Sequence, residues 1–147
     1  MDNLRIILAT DDKEWNLIKH FRQKYFFDKT GVQDPYIWTF EHESHRHFVL
    51  YIDQSIVGYA HIQLWKDNRA AMRIIVIEET QRNNGLGKKL LEFCENWLKT
   101  HNYKTIHAEA SPNALTFYMQ NGYVEMPFND PDSYESSVDD IAVGKIL

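Results

Sequence analysis

Two hydrophobic periods alternate along this chain, and the points where one gives way to the other mark its elements. Leu4 to Ala9 is apolar with strand propensity. Thr10 and Asp11 follow, and Asp11 with Glu14 has capping-box spacing, so a helix begins there. Trp15, Ile18, Phe21, Tyr25 and Phe26 then recur at near-helical intervals as an aromatic stripe facing the core. Residues 28–38, with Gly31 and Pro35, read as a loop or a short second helix. Phe48 to Ile52 alternates as a strand does, Asp53-Gln54-Ser55 is a short turn, and Ile56 to Trp65 is another strand. Gly58 inside it marks a bulge or a close backbone neighbour. Lys66 to Arg69 turns the chain into Ala71–Ile77, an apolar run broken by Arg73.

From Leu86 the period becomes helical. Leu86, Leu90, Leu91, Phe93, Cys94, Trp97 and Leu98 share one face, while Lys88, Lys89, Glu92, Glu95, Asn96 and Lys99 share the other. Thr100 to Lys104 is a connection and Thr105 to Ala110 a further strand. Ser111-Pro112 starts a helix with a hydroxyl N-cap and proline at the first position, and Asn121-Gly122 ends it. Tyr123 to Met126 and Ile141 to Leu147 read as strands, separated by the acidic linker Asn129 to Asp140. No internal repeat interrupts this order. It predicts one α/β domain over residues 1–147, with a mixed central sheet of about seven strands flanked by helices.

The turn between Ile77 and the long helix carries the chemistry. A β-rich run feeding a glycine turn that opens a helix makes an anion site from backbone alone, because the first helical N–H groups lack partners and carry partial positive charge. Gly85 and Gly87 remove Cβ atoms where a ligand must approach closely. Gly85-Leu86-Gly87-Lys88-Lys89 is not a P-loop, and Leu90 stands where a dinucleotide fingerprint needs a small residue. The turn does fit Arg-x-x-Gly-x-Gly, as Arg82 to Gly87. An ordinary tight turn into a surface helix is the alternative for this segment taken alone.

Composition narrows the class. A hydrophobic fraction of 44% describes a globular chain, and 147 residues bury a proper core. A net charge of −5 leaves no basic footprint for nucleic acid, and no apolar run approaches the roughly 20 residues that span a bilayer. The first residues do not read as a signal peptide. The single cysteine, Cys94, points to a reducing, cytoplasmic compartment and lies on an apolar helix face, where packing is its expected role. In Glu41 to His47, three histidines and two glutamates invite a zinc reading, but their spacing matches no closed zinc pattern. A solvated polar loop without metal is the expectation there.

Arg82 to Gly87 resembles the phosphate-binding turn of the GNAT superfamily of N-acetyltransferases, and the element order is that of the same fold. A second stretch agrees: Ala114, Tyr118 and Gly122-Tyr123 resemble the family's pattern of Ala, Tyr four residues later, then Gly-Phe/Tyr. The likeness spans nearly the whole chain and is most specific over residues 71–126. Where members often carry Asn three residues before that Ala, this chain has Ser111, with Asn113 adjacent to the Ala instead. The resemblance implies an acetyl-CoA-dependent N-acetyltransferase, with a splay between the fourth and fifth strands that admits the coenzyme. It implies coenzyme contacts from Ile75, Val76, Ile77, Arg82, Asn83, Asn84, Gly85, Leu86, Gly87, Lys88 and Asn113, and Tyr118 as the group assisting the leaving sulfur. Family members are frequently dimers, so a homodimer is expected by analogy.

Acetyl transfer sets further demands. An amine attacks the thioester, charge builds on oxygen, and a thiolate departs. A phenol of pKa ~10 is a weaker acid than a thiol of ~8.5, so Tyr118 is expected to hydrogen-bond the departing thiolate rather than simply protonate it. Glu109, His107, His61, Glu41 and Glu43 are open candidates for the base. Tyr36, Trp38 and Phe40 are candidate walls for a small-molecule or peptide amine. Asp130, Asp132, Glu135, Asp139 and Asp140 are candidates to attract its charge, with a solvated acidic hairpin as the alternative. A non-catalytic acyl-CoA-binding module and a nucleotide-binding protein are the rival readings.

Overall fold

Each apolar run finds a partner in one sheet. The structure is a computed structural model that describes residues 3–132 and 138–147. Strands β1 (Leu4–Leu8), β2 (His45–Ile52), β3 (Ser55–Leu64), β4 (Arg69–Ile77), β5 (Thr105–Ala110), β6 (Val124–Glu125) and β7 (Ile141–Ile146) form a seven-stranded sheet of order β1-β2-β3-β4-β5-β7-β6. All neighbours are antiparallel except β4 and β5. Three α-helices flank the sheet: α1 (Asp12–Arg22), α2 (Leu86–Thr100) and α3 (Pro112–Gln120).

Period-two alternation divides the strand residues between two cores. Phe48, Leu50, Ala60, Ile62, Ala70 and Met72 meet Leu90, Leu91, Cys94 and Leu98 of α2. On the opposite face Val49, Tyr51 and Tyr59 meet Ile18 and Phe21 of α1. The α1 cap forms as its spacing predicts: Asp11 Oδ1 accepts from the Glu14 N–H at 3.0 Å, and Glu14 Oε1 accepts from the Thr10 N–H at 3.0 Å. Past α1, a π turn (Gln23–Phe27) and two 3-10 turns (Asp28–Thr30 and Ile37–Thr39) occupy the expected irregular stretch. Gly58 adjoins an irregularity in the β2–β3 pairing, where Val57 is the extra residue of β3; a Cβ on Gly58 would sit 2.9 Å from Ile77 Cδ1 and 3.2 Å from Leu50 Cβ, so both neighbours would have to shift.

Four expectations change. Phe26, placed in the core-facing aromatic stripe, is 41% exposed. The solvated loop at 41–47 ends early: β2 already starts at His45, and His45 and His47 are buried under Trp38 and Phe40. Glu95, placed on the polar face of α2, is buried; it accepts from the Tyr123 hydroxyl at 2.7 Å and from Lys145 Nζ at 3.1 Å. Ser111 stands at the N-cap of α3, but its side chain makes no capping bond, so Pro112 carries the start signal. No helix among the described residues is long and apolar enough to cross a membrane.

Candidate active site

The sheet opens where its two parallel strands part. Pairing between β4 and β5 is confined to Arg69↔Thr105, Ala70↔Ile106 and Ala71↔His107, so β4 continues to Ile77 with that edge unpaired. A bulge accompanies the parting. Ile62 faces Met72 while His61 faces Ile74, which leaves Arg73 as the extra residue in β4. A bulge increases local twist and bends the strand that carries it, which turns β4 away from β5.

Beyond β4, Asn83 (φ 66°) and Gly85 (φ 77°) take left-handed conformations that bring the chain into α2. Arg82 Nε donates to the Ile77 carbonyl at 2.9 Å and ties the turn to the strand end. Gly85 is the N-cap and no side chain caps the helix. The first backbone bond is from the Lys89 N–H to the Gly85 carbonyl at 3.2 Å, so the amides of Leu86, Gly87 and Lys88 have no backbone partner among the described residues. Their residues line a cavity of about 730 Å³ between the splayed strand, the turn and α3.

That cavity brings together Ile75, Val76, Ile77, Arg82, Asn83, Gly85, Leu86, Gly87, Lys88 and Asn113. Asn84 does not line it; its Nδ2 donates to the Gln81 carbonyl at 3.3 Å. Ser111 does not line it either. Phe117, Gln120 and Asn121 do, and sequence reasoning missed them. Their signal was available: with Asn113 they recur at helical spacing on one face of α3. Gly87 permits the close approach of the two helices, since a Cβ there would lie 3.2 Å from Phe117 Cε1.

Tyr118 sits behind this wall, 5% exposed, in edge contact with Phe117 and Tyr123. Its hydroxyl makes no hydrogen bond among the described residues, and burial pushes its pKa up. Cys94 is fully buried, which also raises its thiol pKa and removes it from any covalent route.

A second cavity of about 270 Å³ lies on the α1 side of the bulge, lined by Arg22, Tyr36, Trp38, Thr39, His45, His61, Gln63, Arg73 and Ile74. Beneath it runs a buried polar network. Arg22 pairs with Asp34 through Nε at 2.5 Å and Nη2 at 3.2 Å, and its Nη1 donates to the Tyr59 hydroxyl at 3.0 Å. With its oxygen accepting from Arg22, Tyr59 donates to His47 Nδ1 at 2.6 Å. That leaves His47 Nε2–H to face the Thr39 carbonyl at 3.2 Å, a neutral tautomer fixed by its partners. Burial lowers the pKa of His47 to about 3 and that of His45 to about 4, and it takes His61 well below the ordinary value. His45 Nδ1 and His61 Nε2 share a hydrogen bond of 2.8 Å.

The candidate acceptor residues divide. Tyr36 and Trp38 line this cavity, whereas Phe40 stacks on Trp15 at 5.2 Å. Asp130 is paired with Arg73 at 2.8 Å and Asp132 accepts from Gln63 Nε2 at 2.5 Å, so these acids hold the wall together. Asp139 and Asp140 do not line it, and Glu135 lies outside the described residues. Of the candidate bases His61 lines it; His107 stacks on Trp65, and Glu109, Glu41 and Glu43 reach neither cavity. Among the described residues no group of three or more His, Cys, Asp or Glu side chains is arranged to hold a metal.

The acetyltransferase (GNAT) family model matches residues 12–123. No curated protein sequence matches the chain. An acetyltransferase of the GNAT family from Staphylococcus aureus Mu50 superposes with a TM-score of 0.79 at 20% identity, covering 99% of each chain. The ribosomal-protein-S18-alanine N-acetyltransferase of Escherichia coli gives 0.73 at 19% identity, covering 99% of this chain and 94% of that one. The PaiA N-acetyltransferase of Thermoplasma acidophilum, solved in complex with coenzyme A, gives 0.69 at 13% identity, covering 97% and 99%.

Proposed function

Since the chain belongs to the acetyltransferase (GNAT) family, we propose that it moves an acetyl group from acetyl-CoA to a primary amine by direct attack in a ternary complex. One observation carries this reading: consecutive residues of β4 line both cavities, Arg73 and Ile74 the smaller, Ile75 to Ile77 the larger. A donor in one and an acceptor in the other meet across a single strand at its bulge.

The larger cavity suits the coenzyme by its donor set. The amides of Leu86, Gly87 and Lys88, at the positive end of a 15-residue helix, answer a diphosphate. Arg82 and Lys88 add charge at its rim. The unpaired edge of β4 offers N–H and C=O groups to the amides of the pantetheine arm, as a sheet edge does to an added strand. When bound, the coenzyme supplies an activated acetyl carbon. Backbone N–H groups at the bulge are placed to receive charge developing on the carbonyl oxygen. Tyr118, held protonated by burial, lines neither cavity and reaches the leaving sulfur only when the Phe117 ring turns aside, then donating a hydrogen bond to it; its raised pKa makes complete proton transfer to a thiolate still more uphill.

An alkyl ammonium of pKa ~10.4 is only about one part in 10³ neutral at pH 7, so presenting it as a nucleophile costs roughly 4–5 kcal/mol. A neutral imidazole at the acceptor cavity, a far weaker base than the amine, leaves that cost to solvent and takes the second proton, which the nitrogen sheds once the N–C bond has formed. Free-thiol release from acetyl-CoA, followed with a panel of primary amines, tests the proposal. Release requiring both acetyl-CoA and amine is expected; coenzyme binding without amine-dependent release contradicts it.

A further inference from the structure

We propose that the smaller cavity selects a small primary amine carried on an aromatic ring, the ring lying against Tyr36 and Trp38 and the nitrogen against the His45–His61 pair. The inference rests on the transferase reading and names its acceptor. The cavity's charges are already spent. Arg22 pairs with Asp34 and Arg73 with Asp130, and no carboxylate lines the space among the described residues. A polyamine or aminoglycoside, which needs several acidic partners, finds none lining the cavity among the described residues. A volume of about 270 Å³ admits one ring with a short amine arm.

Aromatic surface is what the site does offer. Trp38 is 53% exposed and Tyr36 43%, two large rings at the mouth of the cavity with apolar faces left open. Trp38 stands edge-on to His45 at 5.3 Å, so a ring against it places a short arm over the imidazoles. Those imidazoles share one proton between Nδ1 of His45 and Nε2 of His61. Whichever ring donates, one outer nitrogen of the neutral pair keeps a lone pair and the other a proton. The pair therefore always holds one acceptor nitrogen beside the cavity that both rings line. The free amine bonds to the acetyl carbon as the carbonyl π pair moves to oxygen; the now cationic nitrogen gives a proton to that lone pair, and the returning oxygen electrons break the C–S bond and release the thiolate. Burial keeps both rings neutral and their lone pair open, and by disfavouring the imidazolium it makes them pass the proton on rather than hold it.

The test compares 2-phenylethylamine, n-butylamine and spermidine in the thiol-release assay. A kcat/KM for 2-phenylethylamine at least about tenfold above both others is expected, a preference worth about 1.4 kcal/mol. In Trp38→Ala and Tyr36→Ala, both at exposed positions, the ratio of phenylethylamine to butylamine should fall towards one. Spermidine or butylamine matching phenylethylamine overturns this inference and leaves the transferase reading standing. No release with any amine overturns the transferase reading. Binding is read apart from turnover by titration calorimetry of 2-phenylethylamine into protein loaded with coenzyme A. One site is expected, weakened about tenfold in Trp38→Ala, and no detectable binding overturns the inference.

Discussion

Replacing Gly87 with alanine separates what this residue does for the fold from what it does for the ligand. A Cβ on Gly87 would sit 3.2 Å from Phe117 Cε1, 3.5 Å from Phe117 Cζ and 3.8 Å from Ile77 Cγ1. The contact with Phe117 is tight by a few tenths of an ångström, and that ring borders open space in the larger cavity, so it can yield. Against the small overpacking cost stands a helix-propensity gain for alanine over glycine, less than the about 0.8–1 kcal/mol of a helix interior because Gly87 lies in the first turn of α2. The two nearly cancel, and folding stability should stay within about 1 kcal/mol of wild type. Coenzyme binding should not survive so well. The added methyl and the displaced ring occupy the wall beside the amides of Leu86 to Lys88, and moving a diphosphate off one of them forfeits a hydrogen bond to a charged group, about 1.5–3 kcal/mol. Coenzyme A affinity should fall by about ten- to a hundredfold. Titration calorimetry reads the affinity and urea unfolding the stability. An unchanged dissociation constant at unchanged stability would refute the reasoning.

Three further outcomes follow from the same geometry. Asp34→Ala leaves the Arg22 guanidinium buried without its carboxylate and should cost about 3–5 kcal/mol in urea unfolding; a loss under about 1 kcal/mol contradicts the pair's place in the network. Tyr118→Phe removes a hydroxyl with no hydrogen-bond partner among the described residues, so stability and coenzyme affinity should hold while kcat drops by about ten- to a hundredfold, the worth of one hydrogen bond to a charged group; an unchanged kcat removes the assignment. Stability should also fall on acidification. The unfolded histidines take up protons near pH 6.5, whereas burial holds the folded values at about 4 for His45 and about 3 for His47. The unfolded state therefore binds more protons below pH 6.5, and stability declines by up to about 1.4 kcal/mol per pH unit for each ring until the folded values are passed. Urea midpoints at pH 7.5 and 5.5 that coincide would contradict this.

The fold was legible wherever a short period sufficed. Leu86 to Leu98 announces α2, the glycines at 85 and 87 announce its open start, and the order of apolar runs gives the strands to within a residue at each end, except that β2 starts three residues and β4 two residues earlier than their apolar runs. What escaped depends on partners far away in sequence. Nothing local distinguishes His45 and His47 from a solvated run, because their burial comes from Trp38 and Phe40 folding over β2 and from pairing with β3. Glu95 lies on the polar face by helical arithmetic, yet Tyr123 and Lys145 reach it from other elements. The acids of the late linker look like a lure for a cation, whereas Asp130 and Asp132 answer Arg73 and Gln63 across the sheet. The bulge at Arg73 is likewise a matter of register between β3 and β4, which composition does not encode.

Backbone amide shifts during a coenzyme A titration test the central claim most directly. The account predicts that the resonances of Leu86, Gly87 and Lys88 move most, together with those along the unpaired edge from Arg73 to Ile77. If those amides stay still while the shifts gather elsewhere on the molecule, the mouth of α2 is not where the diphosphate sits, and the proposed transfer across β4 falls with it.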